Sequence, residues 1–150
     1  MTQAELKEAM KMAMKNKETV KLNVIRGLIT MATNDLIAKG RGPEGALSED
    51  EMLSLVMRAA KQRKDSIEQF EKGGRPELAA GEKEELAILE TMLPKQMSQD
   101  EIEAAVKAKA AELGVADKTG ANKLMGMLMK DLKGKADGTL VKATVDKMFA

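Results

Sequence analysis

Residues 90–102 read ETMLPKQMSQDEI, and this segment divides the chain. Pro94 disfavours helical geometry at the residue before it, so a helix arriving from the N-terminal side should end near Leu93. Ser98 and Glu101 have the spacing of a capping box, in which two side chains satisfy free backbone N–H groups at a helix start. The segment therefore predicts a boundary between two domains, residues 1–93 and residues 98–150.

Helical patterns lie on both sides of this boundary. The pairs Thr2–Glu5 and Ser48–Glu51 are further capping boxes, and apolar residues recur at helical spacing between glycine and proline stops. Seven helices are expected, at about 3–16, up to 39, 49–72, 76–93, 99–113, 119–133 and 138–149, and Gly81 leaves both a continuous and a broken fourth helix open.

The composition favours the same fold class. Ala, Leu, Met, Lys and Glu are abundant in the 150 residues, whereas Trp and Tyr are absent and Phe occurs twice. We expect an all-α protein with an N-terminal four-helix unit followed by a small C-terminal three-helix domain. In the last helix, the residues expected to face the core are Leu140, Val141, Thr144, Val145 and Met148.

The missing residue types limit the chemistry. Without Cys there is no thiolate nucleophile, and without His there is neither an imidazole base nor a His-ligated metal. The sequence also contains no nucleotide-binding loop. We therefore expect that the chain has no catalytic residues of its own and binds neither a cofactor nor a metal.

Charge and hydropathy limit the partners. The net charge is +1, which does not indicate a DNA-binding polycation, and two Phe residues offer little surface for stacking bases. Glu5 and Glu8 interrupt the N-terminal segment, which lacks the apolar region of a signal peptide, and the apolar runs are too short to cross a bilayer. We expect a cytoplasmic protein that binds neither DNA nor a membrane.

The stretch KGKADG, residues 133–138, has the residues of a turn between two helices. Gly134 suits a helix C-terminus and Asp137 suits the N-cap of the next helix, so capping explains most of the motif. Lys135 has no capping role, and Gly138 permits close approach of another backbone. A purely structural turn and a phosphate-binding turn are both open alternatives.

Local charge supports the second alternative. Between residues 118 and 135 the sequence contains five lysines and a single acidic residue, Asp131. Lysine side chains are the usual partners of phosphate groups in nucleic acids. The candidate tRNA or phosphate-binding residues are Lys130, Lys133, Gly134, Lys135 and Gly138.

A second polar patch lies around the stretch QRKDSIEQFEKGGRPEL, residues 62–78. Its basic residues are Arg58, Lys61, Arg63 and Arg75. The structural interpretation is a solvated helix face with ion pairs between neighbouring turns. The functional interpretation is a groove whose guanidinium groups bind a partner carboxylate or phosphate.

Methionines alternate in two helices, at positions 10, 12 and 14 and at positions 125, 127 and 129. Alternate residues of a helix point in different directions, so these side chains cannot all belong to the core. They are interpreted either as core filling with scattered exposure or as an adaptable docking surface.

Three segments together resemble the GatB/YqeY family. They are QRKDSIEQFEKGGRPEL, the 90–102 segment, and KLMGMLMKDLKGKADGTLVKATV at 123–145, in the family's order. The chain is similar to stand-alone YqeY-type members over essentially its whole length. The resemblance implies a two-part helical fold.

The resemblance also implies a function. A related domain forms the C-terminal tail of the B subunit of the tRNA-dependent amidotransferase, a carbon–nitrogen ligase with glutamine as nitrogen donor. That tail is associated with tRNA recognition, whereas the catalytic sites lie in other parts of the complex. The resemblance places this role on residues 133–137 and, in the preceding helix, on Met125, Gly126, Met129 and Lys130.

Three functions are therefore open. The first is a tRNA-associated accessory protein that recognises tRNA by shape and phosphates, without its own active site. The second is a protein–protein adaptor that docks on the amidotransferase, an aminoacyl-tRNA synthetase or another RNA-processing partner. The third is an enzyme that uses lysine and carboxylate side chains.

Overall fold

The computed structural model describes residues 1–42 and 44–150, and these ranges contain helices and no strand. Pro43, which lies between the second and third predicted helices, is outside the described residues. The helices are α1 Gln3–Lys15, α2 Thr19–Ala38, α3 Glu49–Lys72, α4 Pro76–Thr91, α5 Gln99–Leu113, α6 Ala121–Asp131 and α7 Gly138–Met148. The prediction of an all-α protein is confirmed.

Three helices begin with the predicted capping boxes. At α3, the Ser48 hydroxyl accepts the Glu51 N–H at 3.1 Å, and the Glu51 carboxylate accepts the Ser48 N–H at 2.7 Å. The boxes at α1 and α5 have the same two reciprocal bonds. Pro76 opens α4, and Gly114 ends α5 in the left-handed conformation, as their residue types predict.

The structure differs from the predicted helices at several points. The break near Gly81 is absent, because α4 runs without interruption and packs along α3, and tertiary packing outweighs the small helical preference lost at one glycine. The sixth helix begins at Ala121 rather than 119, because Lys118–Gly120 forms a turn of 3-10 helix capped by the Asp117 side chain.

The predicted inward orientation of Leu140 is also wrong. Leu140 is 46% exposed, whereas Val141, Thr144 and Val145 are buried. These three residues already form a stripe at helical spacing, and Leu140 lies about 100° around the axis from Val141. The apolar pattern of α7 is therefore wider than the face that it buries.

Residues Met1–Leu93 form one compact unit. In it, α3 packs along α4 and α1 along α2, and α2 also contacts α3 and α4. The core includes Leu6, Ile25, Leu28, Leu55 and Leu89.

Residues Pro94–Ala150 form a second compact unit. Its three helices all contact one another around a core that includes Ile102, Val106, Leu124, Leu128 and Val141. Ala136 in the α6–α7 connection belongs to the same core. That the two units are independent domains stays a prediction.

Candidate functional site

The connection between α6 and α7 is a compact turn with a fixed backbone. Helix α6 is capped by Leu132, two residues before Gly134, so the predicted helix end at residue 133 is slightly too late. The Lys135 and Ala136 N–H groups donate to the Leu132 carbonyl at 2.9 and 3.1 Å. Gly134 is buried and has a φ of +80°, a conformation that favours glycine. Glycine is therefore required at this turn for the backbone itself.

The segment that precedes α5 holds the same turn from the side. The Gln96 side-chain amide donates to the Gly134 carbonyl and to the Pro94 carbonyl, both at 2.8 Å. The Met97 N–H donates to the Lys135 carbonyl, also at 2.8 Å. The Gly134 and Lys135 carbonyls thus already accept hydrogen bonds from within the chain. What the turn offers to a ligand is the side chains of its lysines.

The N-terminus of α7 is occupied by Asp137. Its carboxylate accepts the Thr139 N–H at 2.8 Å, which confirms the predicted N-cap. The carboxylate takes the position that a phosphate would occupy at a free helix N-terminus. A phosphate at this turn must therefore be bound by lysine side chains.

Gly138 has a packing role within the unit. A Cβ atom added to Gly138 would lie only 2.7 Å from the Met129 Cε atom. The space that the missing side chain leaves is thus filled by the Met129 thioether. A binding role for Gly138 stays a prediction.

The three candidate lysines are exposed around this turn. Lys130 lies in the last turn of α6, and Lys133 and Lys135 flank Gly134. No carboxylate oxygen of the described residues lies within 4 Å of their ammonium groups. Their positive charges are therefore available to an anion outside the chain.

The acidic residue of this stretch is paired. The Lys109 ammonium, on α5, lies 2.8 Å from the Asp131 carboxylate and only 17% of its side chain is exposed. The Lys109 hydrogen bond lowers the pKa of Asp131, and Asp131 in turn raises the pKa of Lys109. Asp131 thus pairs directly with Lys109, which Glu112 also contacts at 3.3 Å, and the charge of Lys130 is a further, smaller cause of the lowered pKa of Asp131. Sequence reasoning missed Lys109 and Gln96, because neither lies near the turn in the sequence.

The second polar patch belongs to the first unit, where all three of its arginines are paired with carboxylates. One Arg58 nitrogen donates to both Asp35 oxygens, at 3.0 and 2.9 Å. The Arg63 Nε atom lies 2.6 Å from Glu85 and 3.5 Å from Glu82. These Arg63 contacts are ion pairs without good hydrogen-bond direction, since Arg63 Nε and one Glu82 oxygen are buried without a hydrogen-bond partner.

The other two residues of the patch differ from each other. Arg75 Nε donates to Glu77 at 2.6 Å, and the Arg75 hydrogen bond lowers the pKa of Glu77. Lys61 is exposed on α3. A ligand for this patch would have to exchange with carboxylates that already hold its arginines. Binding here stays a prediction.

The methionines are divided between core and surface. Met10 and Met125 pack against the two cores, whereas Met12, Met14, Met127 and Met129 are exposed. The expectation that the alternating side chains cannot all be buried is confirmed. The partner that such a surface would contact stays a prediction.

The described parts of the chain lack two further features. No helix there has the length and hydrophobicity needed to cross a membrane. No group of three or more acidic side chains in those residues converges in a way that could hold a metal ion.

Comparison with known proteins identifies the family. The profile of the family described as "Yqey-like protein" matches residues 3–149. The chain is also 29% identical to the protein named "Altered inheritance of mitochondria protein 41, mitochondrial" from Lachancea thermotolerans, over 97% of this chain and 80% of that protein. Since the family profile covers nearly the whole sequence, the chain belongs to the YqeY-like family.

Proposed function

We propose that this member of the YqeY-like family is an accessory protein that binds tRNA through Lys130, Lys133 and Lys135. The observation that carries the proposal is the α6–α7 turn. It presents three exposed ammonium groups without a carboxylate within 4 Å, while the neighbouring Asp131 is held by Lys109. Phosphate groups of an RNA backbone are the chemical partners of such a set.

The backbone around the lysines supports specific positioning. Gln96 and Met97 hold the Gly134 and Lys135 carbonyls, so the turn has little freedom to reorganise. A lysine on a fixed turn loses less conformational entropy on binding than one on a mobile loop. The turn therefore suits recognition of tRNA shape through the spacing of its phosphates.

The overall charge limits the strength of binding. With a net charge of +1, the protein attracts RNA through the turn rather than through its whole surface. We expect a modest affinity that decreases as the salt concentration rises, because each neutralised phosphate releases counterions.

No step of the proposed function is catalytic. The sequence contains no His or Cys, and the ligase activity of the amidotransferase lies outside the domain that this chain resembles. The purified protein, given glutamine, ATP, magnesium and mischarged tRNA, should form no amidated aminoacyl-tRNA. Turnover that a substitution in this chain abolishes would contradict the accessory role.

An adaptor function is the alternative. The exposed Met127 and Met129 side chains lie on the same helix as Lys130, on different sides of its axis, and each offers apolar contact to a protein such as an aminoacyl-tRNA synthetase or the amidotransferase. Binding of this kind would depend little on salt, in contrast to binding of phosphates.

The test is direct binding of a fluorescent tRNA transcript, measured by anisotropy. The double variant Lys133→Gln/Lys135→Gln should weaken binding by about tenfold, since two phosphate contacts are lost. The control Lys142→Gln/Lys147→Gln removes the same charge from α7 and should change the affinity by less than about twofold. Equal losses in both double variants, or no binding by the wild type, would contradict the proposal.

A further inference from the structure

Two cavities lie side by side between α1 and α2 in the first unit. Their volumes are about 570 and 900 Å³, and both are lined by Lys7 and Ile29. We call them together the α1–α2 groove. Along α2 the groove extends from Arg26 to Ile37, which corresponds to about 16 Å of helix, or three turns.

The floor of the groove is apolar. Leu6, Ala32 and Leu36 are buried at its base, and Ile29 is half-buried at the centre. At one end Ile37 has 69% of its surface exposed, the largest exposed fraction among the large hydrophobic residues of the described ranges. Because Ile37 lines the groove, its exposed side chain extends the apolar floor into one contiguous surface of the kind that partner proteins cover.

The uncompensated charge on the rim is positive. Lys7 and Arg26 have no carboxylate oxygen of the described residues within 4 Å. Of the acidic residues that line the groove, Glu8 is balanced by Lys11 at 2.8 Å. Glu5 accepts a backbone N–H in the α1 capping box and keeps its negative charge, so Lys7 and Arg26 together leave the rim with a net positive charge. A partner therefore gains most from carboxylates placed beside its apolar side chains.

We propose that the α1–α2 groove binds one amphipathic helix of a partner protein, with an apolar stripe flanked by Asp and Glu. A stripe at positions i, i+3, i+4 and i+7 covers two to three turns, which matches the length of the groove. Its flanking carboxylates would reach Lys7 and Arg26. RNA phosphates could pair with these cations but would leave the apolar floor uncovered. This inference does not depend on tRNA binding.

The test uses two synthetic peptides of about 14 residues that share leucines at the stripe positions. One has Glu and the other Lys at the flanking positions. Anisotropy of each labelled peptide is measured with the full-length protein. The Glu peptide should bind about tenfold more tightly than the Lys peptide, because the rim is cationic.

Variants locate the peptide. Ile37→Ser should weaken binding of the Glu peptide by about tenfold through lost apolar contact. Lys7→Gln should weaken it by about threefold through a lost exposed ion pair. The controls are Leu78→Ser, an exposed leucine on α4, and Lys15→Gln, an exposed lysine on α1 outside the groove; both should stay within about twofold of the wild type.

Several results would overturn the inference. They are equal binding of both peptides, no binding of either, or controls that weaken the Glu peptide as much as the groove variants. If Ile37→Ser and Lys7→Gln instead weaken tRNA binding and tRNA displaces the Glu peptide, the groove is an RNA surface and the proposal is wrong. Melting temperatures of all four variants verify that each is folded.

Discussion

Asp137 and Lys135 lie two residues apart, but their side chains have different roles in the structure. The Asp137 carboxylate caps α7 by accepting the Thr139 N–H, whereas the Lys135 side chain is exposed and has no ion-pair partner in the described chain. Asp137→Ala should lower the free energy of unfolding by about 1 kcal/mol. Lys135→Ala should change it by less than about 0.5 kcal/mol.

Urea unfolding of both variants measures this difference. Asp137→Asn is the matched control, because its amide oxygen can still accept the Thr139 N–H and should retain most of the stability. A Lys135→Ala variant as unstable as Asp137→Ala would mean that the lysine supports the fold.

Glu51 should make the first unit sensitive to acid. The Arg41 hydrogen bonds, followed by the Ser48 N–H, lower the pKa of Glu51 from 4.5 to about 2. Because folding lowers this pKa, the contribution of Glu51 to stability is complete above about pH 4.5 and is lost as the pH falls towards 2.

Glu51→Gln should therefore be less stable than the wild type at neutral pH, with a difference that shrinks between pH 4.5 and about 2. Unfolding midpoints measured across this range give the result. Glu49→Gln removes a charge from the same helical turn without removing the contact to Arg41. A difference between Glu51→Gln and the wild type that does not depend on pH would contradict the role of the ion pair.

At the scale of the helix, Gly81 tests the continuity of α4. Gly81 lies inside the helix, and a Cβ atom added there meets nothing within 4 Å. Gly81→Ala should raise the free energy of unfolding by about 0.5 to 1 kcal/mol, since alanine loses less backbone entropy in a helix.

Gly74 is the matched control in the same unit. It also has open space around it, but its φ is +71°. Gly74→Ala should lower stability by about 1 kcal/mol, because an L-residue is strained in the left-handed region. Chemical unfolding of the two variants should give effects of opposite sign, and destabilisation by Gly81→Ala would indicate that α4 is interrupted in solution.

Helix starts could be predicted from the sequence because their determinants are local. A capping box needs only two residues three positions apart, and all three predicted boxes are present. The buried face of a helix depends on packing, which explains why the orientation of Leu140 was predicted wrongly. The start of α6 was predicted wrongly for a local reason, because Asp117 caps a turn of 3-10 helix that the apolar pattern does not distinguish from an α-helix. The spacing of apolar residues shows that a helix has a buried stripe, but it does not show how wide that stripe is.

The candidate site could be predicted only in part for the same reason. The Asp137 cap depends only on neighbouring residues, so the sequence predicts it correctly. The Gln96 bonds, the Lys109–Asp131 ion pair and the Met129 contact with Gly138 join residues distant in sequence or on different elements. No spacing rule reports such contacts.

At the scale of the whole molecule, the boundary near Pro94 predicts where proteases cut first. Residues 94–98 lie between α4 and α5 outside any helix, and Lys95 is an exposed trypsin site there. Arg41 is a second site, in the segment between α2 and α3. Brief trypsin digestion should cut first at these positions, because cleavage needs exposed backbone that is not part of a helix.

Mass spectrometry of the first fragments identifies the cuts. Arg58, Lys61 and Lys64 in α3 are internal controls, since trypsin would cleave them too if the helix opened. First cuts between residues 52 and 70 would contradict the division into two domains.

The salt dependence of tRNA binding tests the central claim most directly. The affinity of the wild type and of Lys135→Ala for one tRNA transcript should be measured across a range of salt concentrations. We predict that the logarithm of the wild-type affinity falls linearly with the logarithm of the salt concentration. In Lys135→Ala the slope should be smaller by about one unit per lost phosphate contact. A Lys135→Ala variant with the same affinity and slope as the wild type would show that the turn is purely structural.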